Sequence, residues 1–111
     1  MRKAHVFLHD LKAGELLELE KGRKYVFEYD SNYNGSPVSV TMPLSRKKFH
    51  FDNFPPFFEG LLPEGTNLDL LLLNKKIDKN DLFKILMAVG NDTVGAVTIQ
   101  EVNDEEMPDN L

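Results

Sequence analysis

The chain has 111 residues and a mass of 12.7 kDa, which fits one domain that buries about 65% of its unfolded surface around a single core. It has no cysteine, which excludes a disulfide framework and thiolate chemistry, and its three histidines leave little for a metal. Residues 1–100 hold 13 basic and 13 acidic side chains, so Glu101, Asp104, Glu105, Glu106 and Asp109 supply the whole net charge of −5, and the neutral body lacks the basic face that a nucleic-acid binder needs.

The first third alternates with period two. Ala4, Val6 and Leu8 lie opposite His5, Phe7 and His9; Leu17 and Leu19 alternate with Glu18 and Glu20; Tyr25, Phe27 and Tyr29 alternate with Lys24, Val26 and Glu28. Turn signals at Ala13-Gly14 and Lys21-Gly22 separate these runs and predict a three-stranded meander. Asn32 to Ser36 reads as a loop with an Asn-Gly turn. Val38, Val40 and Met42 then alternate with Ser39 and Thr41, which predicts a fourth strand ended by Pro43. Arg46-Lys47-Lys48 is the one basic cluster and reads as a solvated loop.

The stretch from Phe54 to Gly65 packs three aromatics, two leucines, three prolines and two glycines into twelve residues. Pro55-Pro56 and Pro63 bracket a short helical turn in which Phe57, Phe58, Leu61 and Leu62 share apolar faces and Glu59 points away. Pro63-Glu64-Gly65 is a corner, because glycine takes positive φ without steric cost, and a helix follows from Thr66. Leu68, Leu71 and Leu72 form an i, i+3, i+4 stripe there, and Leu70 and Leu73 add apolar surface on its flanks. Two readings stay open at this point: a plug under the sheet, or a face for a partner. Asp78 and Asp81 form a capping pair for a helix carrying Leu82, Phe83, Ile85, Leu86 and Val89, closed by Gly90. Gly95 to Ile99 predicts a fifth strand that rejoins the sheet.

The order of strands, helices and a final strand predicts an α+β fold. It is a single domain over 1–102 with a small antiparallel, barrel-like sheet of about five strands and three or so short helices; residues 103–111 are an acidic tail expected to be disordered. The apolar run behind Met1-Arg2-Lys3 breaks at His9-Asp10, so no signal peptide is expected, and no window approaches the ~20 apolar residues of a membrane span. A soluble cytoplasmic protein is expected.

Catalytic chemistry has no convergent set of residues here. His5 and His9 share a strand face without a third ligand placed by spacing, and read as ordinary strand histidines. Asn91-Asp92 between Gly90 and Gly95 could hold an anion through turn amides, but neither phosphate-loop pattern is present, and a helix-to-strand turn explains it. Glu59 and Glu64 could form a carboxylate pair, yet nothing nearby suggests a substrate cleft. No enzyme activity, cofactor or metal is expected.

Two stretches carry a family resemblance: Phe57-Phe-Glu-Gly-Leu-Leu-Pro-Glu-Gly65, and Asp81-Leu-Phe-Lys-Ile-Leu-Met-Ala-Val-Gly-Asn-Asp-Thr-Val-Gly-Ala-Val97. With strands before and after, they resemble the N-terminal subdomain of HipA-type serine/threonine kinase toxins, from about Ala4 to Ile99. The kinase core of that family has no counterpart in the sequence. A free-standing copy of the subdomain is similar to the HipS-type small components of HipBST toxin–antitoxin systems. That resemblance implies an antitoxin that binds a HipT-like kinase, in a complex with a HipB-like helix-turn-helix protein, and no direct contact with nucleic acid or membrane. The partner-binding residues it implies are Phe57, Phe58, Leu61, Leu62, Pro63, Glu64, Gly65, Thr66, Leu68, Leu71 and Leu72. Thr66 and Asn67 depart from the aromatic and basic residues that the family often has after the glycine. The alternative within the same family is a bridging subunit that does not inhibit the kinase; a rival from another class, suggested by the acidic tail, is a mimic that occupies a basic nucleic-acid site.

Overall fold

The computed structural model describes residues 1–91, 93 and 96–102; the expected tail at 103–111 lies outside them, as do Asp92 of the turn expected at Asn91-Asp92 and Gly95, where the fifth strand was expected to begin. Eight elements follow one another: β1 (Arg2–Leu8), β2 (Leu11–Glu20), β3 (Arg23–Tyr29), β4 (Lys48–Phe51), α1 (Pro56–Glu59), α2 (Gly65–Lys75), α3 (Leu82–Val89) and β5 (Val97–Val102). The strands form one antiparallel sheet in the order β4-β3-β2-β1-β5. The fold is therefore α+β as expected. Among the described residues the sheet is open, with β4 and β5 as its edges, so the barrel-like closure does not occur.

The meander forms with one displaced turn. Lys21 and Gly22 connect β2 to β3, with Gly22 at φ 79°. The β1–β2 turn is instead His9-Asp10, whose φ values of 51° and 68° are those of a tight hairpin turn with two left-handed residues. Ala13-Gly14 sits inside β2 as a bulge: Val6 faces Gly14 while Phe7 faces Lys12, which leaves Ala13 over. Gly14 is required there because a Cβ would collide with the Glu28 carbonyl on β3.

The expected strand at Val38 to Met42 is not one, and the fourth strand is Lys48–Phe51. Pro37 and Pro43 offer no amide to a ladder, and the Ser39 hydroxyl and carbonyl take up the Thr41 and Met42 amides at 3.2 and 3.0 Å. Val38 and Met42 still reach the core, while Val40 is 92% exposed. The Asn32 to Ser36 segment is a loop as expected, but its turn falls earlier, where the Tyr33 amide bonds the Asp30 carbonyl.

One face of the sheet carries the core. Ala4, Val6, Leu16, Phe27 and Ile99 form one core with Phe58 of α1 and Phe83 and Leu86 of α3. Phe54 packs on Tyr25 at one end of β3, and loop residues Tyr33, Val38 and Met42 close the other end beside Tyr29. The Tyr29 hydroxyl pins that end by donating to the Met42 carbonyl at 2.6 Å and accepting from the Val38 amide at 2.9 Å. Asp81 caps α3 by accepting from the Lys84 amide at 3.2 Å. Gly90 ends that helix with φ −53°, not in the left-handed form expected of a C-terminal glycine. Its lack of a side chain matters because β5 passes so close that a Cβ would meet the Ile99 carbonyl.

Candidate functional site: the α1–α2 corner

Pro55 at φ −61° leads into Pro56, whose missing amide is no loss at the first position of α1. The Glu59 and Gly60 amides bond back to Pro55 and Pro56 at 3.0 and 3.1 Å, and Leu61 and Leu62 continue the turn through Phe58 and Glu59. Pro63 then stops it. Glu64 is extended and Gly65 takes φ 61°, so α2 leaves in a new direction, as the corner reading expects. At its far end Lys76 adopts a left-handed conformation, and Ile77 is buried as the chain returns to the body.

α2 itself contains no buried residue. Leu68, Leu71 and Leu72 are half-buried, whereas Leu70 and Leu73 are 52% and 74% exposed. Five leucines in six positions thus give an eleven-residue helix that covers little of its own apolar surface. The sequence stripe marked Leu68, Leu71 and Leu72, but the two flanking leucines stand furthest into solvent.

The expected partner-binding residues divide into groups. Leu62, Pro63, Glu64 and Leu68 surround one cleft of about 200 Å³ with Leu82 and Ile85 of α3. Glu64, Gly65 and Thr66 are exposed at the corner, and Leu61 is half-buried beside it. Phe57 lines a different cleft, next to β4. Phe58 is fully buried, 5.7 Å from the Phe27 ring and 5.2 Å from that of Phe57, so its side chain belongs to the core and not to the surface. Glu59 and Glu64 both border the α2–α3 cleft as exposed carboxylates.

The orientation of α3, which forms one wall of that cleft, rests on a charged network that the sequence did not disclose. Arg2 donates through Nε to Glu18 at 2.6 Å and through its two terminal nitrogens to Asp81 at 2.8 and 3.1 Å. Glu18 is 2% exposed and also accepts from the Tyr25 hydroxyl at 2.9 Å and the Gly22 amide at 3.1 Å. Burial opposes ionisation of both carboxyls, but the Arg2 guanidinium and the other donors outweigh it and hold Glu18 and Asp81 below the usual carboxylate range. Burial raises the Tyr25 hydroxyl, and its bond to Glu18 raises it further. Glu18 is in phase with Leu16 on the inward face of β2, whereas the alternation with Leu17 and Leu19 had set it with Glu20 on the opposite face.

His5 pairs with Glu15 across β1 and β2 at 3.3 Å, and His9 lies in the hairpin turn. Among the described residues no three of His, Cys, Asp and Glu cluster as a metal site would require. No helix among the described residues is long and apolar enough to cross a membrane.

The family model for the HipA N-terminal domain matches residues 4–100. The chain belongs to the HipA N-terminal domain family. A solved structure described as the N-terminal domain of HipA toxin superposes on this domain with a TM-score of 0.73 at 30% identity, covering 94% of this chain and 95% of that one. The chain is also similar to the HipA chain in a Shewanella oneidensis complex of HipA, HipB and operator DNA, with a TM-score of 0.68 and 29% identity. There the likeness covers 91% of this chain and 24% of the other. Among sequences, it is 37% identical over 101 residues to an uncharacterized protein of Haemophilus influenzae, across 93% of that protein. It is 32% identical to the serine/threonine-protein kinase toxin HipA of Shewanella oneidensis, across only 21% of that protein. The similarity to the kinases therefore lies in the N-terminal subdomain and not in the catalytic part, and the small Haemophilus protein has the same extent as this HipA N-terminal domain. The family match, and a likeness that runs along nearly all of a small relative, fit a HipS-like small protein.

Proposed function

We propose that this HipA N-terminal domain acts as an antitoxin, binding a HipT-like serine/threonine kinase where the covalently joined subdomain sits in one-chain HipA kinases, and holding that kinase inactive. The observation that carries this reading is α2, a leucine-rich helix with no buried residue and with Leu70 and Leu73 largely in solvent. A subdomain that is tethered in a longer chain needs, when free, an apolar interface strong enough to replace the tether. The surface for it comprises Leu61, Leu62, Pro63, Glu64, Gly65, Thr66, Leu68, Leu71 and Leu72, with Leu70 and Leu73 added and Phe57 at one margin. Phe58 supports it from inside.

Inhibition follows from the requirement that a kinase align its phosphate loop and metal ligands at the same time. The rigid Pro63-Glu64-Gly65 corner, pressed against the nucleotide-binding lobe, opposes that closure. The chain's own chemistry stays confined to binding, and a HipB-like repressor joins the complex through the kinase.

The test is co-expression with a HipT-like kinase, followed by size-exclusion chromatography and a phosphorylation assay with and without the small protein. A one-to-one complex with lost kinase activity is expected. A complex with full activity would assign the chain to a bridging role between kinase and repressor, and the absence of a complex would overturn the reading.

A further inference from the structure

The β4 edge carries three features that lie beside the proposed kinase-binding surface and share only Phe57 with it. β4 has a neighbour on one side only. The Tyr29 amide bonds the Lys47 carbonyl at 2.8 Å, and Phe27 and Tyr25 stand opposite Phe49 and Phe51. With that parity the backbone groups of Lys48 and His50 point away from β3, toward the free edge. Beside them lies a cleft of about 230 Å³ whose apolar wall includes Met42, Phe49, Phe51 and Phe57, with Arg46 and His50 at its rim. Arg46 stands over the Phe49 ring at 5.5 Å. Finally, Arg46, Lys47 and Lys48 are exposed, and none of them makes an ion pair among the described residues.

We propose that this edge docks an extended acidic peptide segment of a partner protein, which adds to the sheet as a sixth strand. The period of two in a strand decides its pattern. Residues on one side of the peptide bring carboxylates to Lys48 and its neighbours on the solvent face, and an intervening apolar residue enters the Met42–Phe57 cleft. Edge cations by themselves are a common guard against pairing, since two copies of the same basic edge repel. Next to an open apolar cleft they become selective, repelling basic strands and favouring an acidic one over a neutral one. A phosphodiester backbone satisfies the cations, but it completes no ladder and fills no apolar cleft.

The experiment uses the full chain, ¹⁵N-labelled, titrated with a blocked heptapeptide in which glutamate alternates with leucine or valine. Amide resonances of residues 46–51 are expected to shift with this peptide and to stay in place with its lysine-for-glutamate counterpart. Joint Arg46→Glu and Lys48→Glu substitution is expected to weaken binding roughly tenfold. Both side chains are exposed, so the same spectrum verifies that the fold is intact. Methylating the peptide's ladder-facing amides is expected to weaken binding by a similar factor, with no change to the protein at all. Absence of shifts at 46–51, equal binding of the lysine or N-methylated peptide, or equal competition by a short oligonucleotide of the same charge would each overturn the proposal.

Discussion

Glu18 is a buried carboxylate in a sheet whose other inward side chains are almost all apolar. Its three donors, Arg2, Tyr25 and the Gly22 amide, join the first strand, the β2–β3 turn and, through Arg2 and Asp81, the start of α3. Because the folded state holds Glu18 and Asp81 below the range of free carboxyls, it binds fewer protons than the unfolded chain around their ordinary values near 4. Their contribution is complete at neutral pH and is lost as the pH falls through the depressed values. Urea unfolding followed from pH 7 to pH 3 should show the midpoint falling below about pH 5, and Glu18→Gln should flatten that fall while costing about 2 kcal/mol at neutrality. Gly14→Ala is a second residue-scale test. The added methyl has the Glu28 backbone in its way, not a movable side chain, and the loss measured by denaturant should be about 2 kcal/mol or more. Neither role was legible beforehand. Gly14 looked like a turn because its close neighbour is remote in sequence, and Glu18 looked like the solvent side of an alternating strand because its partners are 16 and 7 residues away.

At the scale of elements, local rules sufficed where the decisive forces were local. Period-two alternation located β1 and β3, Lys21-Gly22 located a turn, and the Asp81 cap and Gly65 corner began α3 and α2 where expected. Local rules failed at Val38 to Met42, where prolines and serine back-bonding defeat a strand-like pattern, and at Lys48–Phe51, whose four residues become a strand only because β3 offers an edge. For α2 the sequence showed a surplus of leucine but not which leucines were in surplus, since that depends on how the corner aims the helix. This gives a clean separation of stability from binding. Leu70→Lys with Leu73→Lys should leave the thermal midpoint within about 2 °C of the parent, because little apolar area leaves water at either site on folding. The same pair should abolish co-elution with the kinase. Leu86→Ala, fully buried on α3, should instead cost about 3 kcal/mol.

At the scale of the molecule, family membership was legible because two motifs survive at a fixed separation, one on the corner and one along α3. The proposed partner surface was read only as a region, and Phe58 within it is a core residue whose motif position reflects packing. The neutral body and acidic end also separate the candidate roles. Deleting 103–111 should leave kinase binding and inhibition unchanged if the corner and α2 act as proposed, whereas a mimic acting through its charge would lose its effect in the same phosphorylation assay. The absence of buried side chains on α2 has a further consequence for motion. An eleven-residue helix is marginal by itself in water, so α2 can open without disturbing the sheet, and its amides should exchange with solvent deuterium far faster than those of β1 to β3. A partner that seats its leucines would then slow that exchange, so part of the affinity is set by how readily the free helix stays wound.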